Sequence, residues 1–233
     1  MLNSTARRYD ALIFDLDGTL VDTGLDIALS ANFVRQQHGL SEVPIDVAKS
    51  YVGDGVLKLM ERILGHDEAS GKTGAEGRPV SGDEVKAGLD VFMDHYRVHV
   101  LDNSVLYPGV EEVLERCRPL PLFLATNKPR GFTDQLLIGL GLGGVFDRIV
   151  AGDETPARKP DPQHLRAVLV GCEVAPSAVM MIGDSPNDVI AAQRFGAVSV
   201  GCTFGFVAPE IVARAQPDYL VSGLLEVLEL IEF

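Results

Sequence analysis

Apolar residues fall along this chain in two rhythms. Short, mostly apolar runs at Tyr9–Phe14, Leu122–Ala125, Arg148–Ala151, Val179–Ile182, Val198–Gly201 and Tyr219–Val221 have the length of strands buried on both faces. Between the later runs, Pro129–Leu140, Pro162–Val170, Pro186–Phe195 and Pro209–Ala215 read as helices. Each opens on a proline, whose missing N–H costs nothing in a first helical turn. Strands alternating with helices predict an α/β fold with a Rossmann-like parallel sheet, and such a sheet carries its site at the carboxyl ends of its strands.

One interval breaks the alternation. From Thr23 to about Val100 no strand is predicted, but three or four helical patterns are. In Val56–Leu64 the apolar Val56, Leu57, Met60, Ile63 and Leu64 follow a 3.6-residue period, with Lys58, Glu61 and Arg62 on the other side. Val85, Leu89, Phe92 or Met93, and Tyr96 repeat the pattern. This predicts a helical domain inserted after the first strand: a lid-like cap over 23–102, tethered by Val21–Gly24 and Asn103–Gly109, with a core of 1–22 and 103–233. Gly65–Gly82 holds five glycines and almost no large apolar residue, which predicts a mobile surface loop within the insert.

Composition narrows the class. The chain has 233 residues, enough for one full domain and a smaller partner. Its longest charge-free stretch, Phe195–Pro209, is 15 residues and is interrupted by Gly196, Gly201 and Gly205, whereas a membrane span needs roughly 20 apolar residues. Arg7 and Arg8 lead directly into YDALIFD with no apolar signal core, so the expected location is the cytoplasm. Cys117, Cys172 and Cys202 fit neither a disulfide frame nor a zinc ligand set. Thirty-three acidic residues against 20 basic ones leave a net charge of −13. A field of that sign repels nucleic acid and anionic membranes, and disfavours a small anionic substrate unless cations gather locally.

Four segments at predicted strand ends carry chemistry. In Asp15-Leu16-Asp17-Gly18-Thr19, side chains two apart on an extended chain point the same way, so Asp15 and Asp17 project together. Such a pair repels unless a cation lies nearby, although an isolated Asp-x-Asp is also an ordinary capping turn. Thr126-Asn127-Lys128 follows the second strand, where a hydroxyl and the free N–H groups of the next helix suit a phosphate oxygen or, equally, a turn. Lys159 sits in the rigid Arg158-Lys159-Pro160-Asp161-Pro162 string, where it can neutralise an anion or lie solvated. Gly183-Asp184-Ser185-Pro186-Asn187-Asp188 ends another strand, and its carboxylates suit a hard cation such as Mg²⁺.

Taken in order, the four segments resemble the motifs of the haloacid dehalogenase-like (HAD) superfamily, met by Asp15–Thr19, Thr126, Lys159 and Asp184–Asp188. The resemblance spans Asp15 to Asp188 and includes the insertion point of the family's first class of helical cap. It implies that Asp15 is the nucleophile that becomes an aspartyl-phosphate. It makes Asp17 the general acid for the leaving alkoxide and then the base for water. It gives Thr126 and Lys159 the transferring phosphoryl group, with Gly18, Thr19, Asn127 and Lys128 contributing to substrate binding and Arg130 as a further helper. Mg²⁺ would be held by Asp15, the backbone carbonyl of Asp17, and Asp184, with Asp188 in support. An acid at position 17 disfavours dehalogenases and phosphonate hydrolases of the superfamily, which lack one there.

Within the superfamily, Tyr51–Arg62, His95-Tyr96, Tyr107–Val110 and Thr126–Pro129 resemble bacterial phosphoglycolate phosphatases. Gly53 and Gly55 would then either expose backbone N–H groups to a small carboxylate or simply form a helix-entry turn, with Lys58 and Arg62 either adding positive charge or lying on the outer face of the cap. The implied substrate is 2-phosphoglycolate. The alternatives are a broader phosphatase for sugar phosphates, nucleotides or pyrophosphate and, outside enzymes, a phospho-aspartate signalling switch, which Asp17 and the chain length disfavour. The expected partner is a small phosphorylated metabolite, and the expected state a monomer or homodimer. Part of the −13 thereby converges on one site and demands a metal.

Overall fold

The computed structural model describes residues 7–233. Residues 1–6, part of the stretch on which the missing signal core was read, lie outside the described residues. The chain divides into two compact units: residues up to Asp22 with Leu106–Phe233, and Thr23–Val105 between them.

In chain order the elements begin with β1 (Ala11–Phe14) and β2 (Val21–Asp22), then α1 (Gly24–Gln37), α2 (Ile45–Ser50), α3 (Val56–Leu64) and α4 (Gly82–His99). They continue with β3 (Val105–Leu106), α5 (Val110–Cys117), β4 (Leu122–Ala125), α6 (Arg130–Gly139), β5 (Arg148–Val150) and α7 (Pro162–Val168). The last are β6 (Val179–Gly183), α8 (Pro186–Phe195), β7 (Val198–Cys202), α9 (Pro209–Arg214) and β8 (Tyr219–Val221). Three short 3₁₀ turns punctuate the described residues. β2 and β3 pair as a separate two-stranded sheet.

The first unit is built on a six-stranded sheet in the order β5-β4-β1-β6-β7-β8, every described pairing parallel. Numbered within that sheet alone, the order is 3-2-1-4-5-6, the doubly wound arrangement whose switch point lies beside the first strand. Phe14 is in register with Leu124 on one side and Ile182 on the other, so β1, β4 and β6 end level with one another. Alternate residues face opposite layers. Ala11, Ile13, Phe123, Ala125, Val179 and Met181 pack in one cluster with Leu165 and Val168 of α7 and Ala191 and Ala192 of α8. Leu12, Phe14, Leu122, Leu124, Met180 and Ile182 point the other way and are also buried. Burial on both faces is why these strands read as unbroken apolar runs rather than alternating ones.

Several expected boundaries move by one or two residues. The first strand starts at Ala11 rather than Tyr9, and Pro129 is the N-cap of α6 rather than its first helical residue. The three cysteines are free.

The second unit is helical. Gly88 of α4 marks a close crossing: a Cβ there would stand 2.8 Å from Leu64 Cδ1 and 3.2 Å from Val34 Cγ1, so α1, α3 and α4 meet at this glycine. Arg35 is 1% exposed and donates to the backbone carbonyls of Ile63 (2.6 Å) and His66 (3.3 Å), binding α1 to the C-terminal end of α3 and the turn that follows it. The Gly-rich segment lies at the surface and is pinned to its neighbours at particular points. Thr73 Oγ1 donates to Arg62 O at 2.7 Å, Arg78 donates from its backbone to Gly65 O and from Nε to Leu64 O, and its guanidinium pairs with Glu84. A Cβ on Gly77 would lie 2.2 Å from Gly65 O. Here glycine serves close backbone approach, which composition cannot distinguish from looseness. Among the described residues no helix is long and apolar enough to cross a membrane.

Candidate active site

The carboxyl ends of β1, β4 and β6 bring together the residues that the sequence marked. Asp15 follows β1, and its backbone N–H donates to Ile182 O at 2.9 Å, so the strand edge itself holds it. Its Oδ1 lies 2.8 Å from Lys159 Nζ, and the same ammonium donates to Asp188 Oδ1 at 2.6 Å. Asp15, Asp184 and Asp188 each offer a carboxylate oxygen, and the three lie within 4.8 Å of one another. Lys159 is 4% exposed and none of the three acids exceeds 8%.

The electrostatics of this cluster are unbalanced. Burial pushes the pKa of Asp15 well above the carboxylate range, against the attraction of Lys159, and Asp188 and Asp17 push it further. Asp184 is raised for the same reason, burial first and then Asp188 and Asp15. Burial also opposes the charge of Lys159, but Asp15 and Asp188 outweigh it, so the lysine stays firmly protonated. One buried ammonium, paired with Asp15 and Asp188, thus faces three ionisable carboxyls. An all-oxygen donor set with surplus negative charge fits a hard divalent cation.

Asp17 projects elsewhere. Its two oxygens lie 3.1 and 3.2 Å from Lys128 Nζ, so the lysine holds the carboxylate through both. Gly18 turns the chain with φ +81°, and a Cβ there would lie 2.1 Å from Asp184 Oδ2. Glycine is therefore required twice over at this position. Thr19 is fully buried, and its hydroxyl has no partner among the described residues. The Thr126 hydroxyl accepts the Lys128 backbone N–H at 3.2 Å and keeps its own proton to donate.

Several expectations are corrected in detail. Asn127, expected to bind substrate, clamps the main chain of Lys159 instead: Oδ1 accepts from Lys159 N and Nδ2 donates to Lys159 O, both at 3.0 Å. Arg130 is not a phosphate helper, because its guanidinium pairs with Asp134 (2.8 Å) and Glu154 (3.1 Å). Asp188, expected in support of the metal, is also the N3 residue of a capping box: its Oδ2 accepts Ser185 N at 3.0 Å and Ser185 Oγ at 2.7 Å. Its two oxygens therefore divide the work, one closing α8 and one facing Lys159. Gly53 and Gly55, at φ +122° and +87°, open α3 in the second unit. Of the added charges there, Arg62 is tied to Tyr51 O and Asp54, and Lys58 to Glu61 at 2.5 Å.

The sequence reading missed the loop after β7. Phe206 N donates to Asp184 Oδ2 at 2.8 Å, and a Cβ on Gly205 would stand 2.2 Å from that oxygen and 2.5 Å from Gly18 O. Gly183 similarly leaves room for Asp188, whose Cγ would be 2.2 Å from an added Cβ. His164 was missed too. It is fully buried, and its Nδ1 lies 3.0 Å from Ala157 O and 3.2 Å from Thr155 Oγ1, bracing the loop that carries Lys159. The available signal was position alone: Thr203–Phe206 follows a predicted strand on the side of the sheet where sites form. Gly205→Ala is expected to destabilise the protein by about 1–3 kcal/mol through overpacking against Asp184. A urea unfolding midpoint equal to wild type would show that the loop does not press on the carboxylate.

Comparison with known proteins points the same way. The family model for haloacid dehalogenase-like hydrolases matches residues 9–196. A phosphoglycolate phosphatase of Neisseria meningitidis is 36% identical over 98% of this chain and 96% of its own length. One from Vibrio parahaemolyticus is 33% identical over 97% and 98% respectively. Among solved structures, a predicted phosphoglycolate phosphatase of Haemophilus somnus superposes with a TM-score of 0.85 at 28% identity, covering 96% of this chain and 98% of that one.

Proposed function

The chain belongs to the haloacid dehalogenase-like hydrolases and is a phosphoric monoester hydrolase, and from that premise we propose that it hydrolyses 2-phosphoglycolate to glycolate and phosphate with Mg²⁺. The observation that carries the reading is the buried Asp15–Lys159–Asp188–Asp184 cluster at the sheet's switch point, with a second acid, Asp17, held apart on Lys128. The substrate is supported by full-length relatives named as phosphoglycolate phosphatases.

In this reading an Asp15 oxygen attacks phosphorus in line with the ester oxygen. The new O–P bond forms as the ester bond breaks, and the leaving alkoxide takes its proton from Asp17. Water then attacks the phosphorus of phospho-Asp15. Asp17 accepts the water's proton, and Asp15 departs as a carboxylate. One difficult displacement is thereby divided into two. Lys159 and the Thr126 hydroxyl face the charge on the equatorial oxygens, where positioning and electrostatics do most of the catalysis. Asp15, Asp184 and the Asp17 backbone carbonyl would hold the Mg²⁺, with Asp188 in support, and the bound ion would supply Lewis-acid neutralisation of the phosphoryl oxygens.

On the second unit, Arg62 ties Asp54 to Tyr51 O and so holds the Gly53-Asp54-Gly55 turn. The test is a steady-state screen of small phosphate esters in Mg²⁺. The highest kcat/KM is expected for 2-phosphoglycolate. A clear preference for sugar phosphates, nucleotides or pyrophosphate would overturn the substrate and leave the site chemistry standing.

A further inference from the structure

The C-terminal half of α4 carries chemistry that phosphate hydrolysis does not use. His95 and His99 are four residues apart on one helix face, and their rings stack with centroids 4.3 Å apart and planes 29° from parallel. In each, Nδ1 is already engaged. His99 Nδ1 lies 2.7 Å from Asp102 Oδ2, and His95 Nδ1 lies 3.0 Å from Ser30 Oγ. Both rings line a cleft of about 450 Å³ that Gln37 and Asp94 also border.

A ring nitrogen that donates to a carboxylate or hydroxyl fixes the tautomer and leaves the other nitrogen as a lone-pair donor of raised basicity. Asp102 can only accept from His99 Nδ1, and with Ser30 Oγ accepting from His95 Nδ1 neither Nε2 has a hydrogen-bond partner among the described residues. Neutral imidazoles four residues apart on a helix form a two-point chelate. Burial, and then the neighbouring His99, hold the His95 pKa below the ordinary histidine value, so the ring is unprotonated at neutral pH. α4 ends at His99, where the negative end of the helix dipole favours a cation. Asp94 and Gln37 border the same cleft, Asp94 paired there with Arg97 at 3.0 Å, and water can complete the shell.

We propose that His95 and His99 form a binding site for a late first-row divalent transition ion, Zn²⁺, Ni²⁺ or Cu²⁺, separate from the acidic cluster of the first unit. Imidazole nitrogen suits these ions, whereas Mg²⁺ requires oxygen ligands, so the two sites select different metals. The remaining histidines do not compete. His38 lies 3.9 Å from Glu84, His66 is tied to Tyr51 at 2.8 Å, and His164 is fully buried.

The test is a Cu²⁺ titration of the full chain in saturating Mg²⁺, read by electron paramagnetic resonance. Wild type is expected to show a saturable signal with coupling to two nitrogens. His95→Gln and His99→Gln should each abolish that two-nitrogen coupling, and His38→Gln should keep it. Asp102→Asn should weaken binding by about 10–100-fold, the usual effect of losing the group behind a metal-bound imidazole. His99 is 42% exposed, so its variant tests the site without disturbing the fold even if His95→Gln unfolds. Absence of the wild-type signal, its persistence in His99→Gln, or its loss in His38→Gln would each overturn the proposal.

Discussion

Asp15→Asn is expected to eliminate phosphate release from 2-phosphoglycolate, by about 10⁴-fold or more, the scale seen when a covalent nucleophile is removed. An amide oxygen keeps its lone pairs but lacks the negative charge that makes a carboxylate oxygen nucleophilic enough for the first displacement. Asp17→Asn provides the contrast. It removes only a proton donor and acceptor, so the expected loss is about 10²–10⁴-fold, and an ester with a good leaving group should still deliver its phosphoryl group to Asp15.

Stability separates loss of chemistry from loss of fold. Burial raises the pKa of Asp15 in the folded state, and Asp188 and Asp17 add to it. A carboxyl raised above its unfolded value destabilises the fold once ionised. The penalty begins as pH rises past the unfolded pKa and is complete above the folded one. Without divalent ions at pH 8, Asp15→Asn should therefore unfold at a higher urea concentration than wild type, and the difference should shrink toward pH 4. A variant that is inactive because it is misfolded would move the other way. Retention of most activity by Asp15→Asn would remove the nucleophile from the mechanism.

Why the reactive groups were visible in the chain while their supports were not has a physical answer. Asp15, Thr126, Lys159 and Asp184 carry their chemistry in side-chain type, and each follows an apolar run or a proline-led turn. In a parallel sheet, chain order alone sends such residues to one edge. The proline-opened helices were readable for the same reason, since Pro at N1 is a local signal, and α8 matches its expected span Pro186–Phe195. Gly205, Gly183 and Phe206 act through an absent Cβ or a main-chain N–H, which residue type does not announce. Asn127 was visible as a polar residue, but whether its amide faces ligand or Lys159 depends on the geometry of a loop 32 residues away. Asp188 has two functions on two oxygens, and a spacing argument registers only one residue. In the Gly-rich stretch of the second unit, the close approach of Gly77 to Gly65 O is likewise invisible in composition.

Lys159→Met carries the second large expected effect, and it divides into two parts. The side chain is 2% exposed and contacts Asp15 and Asp188 at 2.8 and 2.6 Å. Methionine matches its length and leaves both carboxylates buried without their partner. Breaking a buried pair from one side costs about 3–5 kcal/mol, because the remaining charge is uncompensated. Asp188 keeps its capping-box contacts to Ser185, so the loss should concentrate on the Asp15 side and α8 should persist. Activity should fall by about 10²–10³-fold, as when one preorganised donor to a developing oxyanion is removed. Lys159→Arg should not rescue it, since a planar guanidinium does not fit a slot built around a point charge that touches two acids at once. The two parts respond differently to Mg²⁺. An ion that binds only the folded state stabilises it by mass action, and a site with one positive charge fewer should gain more from it. Raising Mg²⁺ is therefore expected to restore the urea midpoint of Lys159→Met toward wild type while phosphate release stays low. Recovery of both together would reduce Lys159 to a counter-ion and take it out of contact with the phosphoryl group.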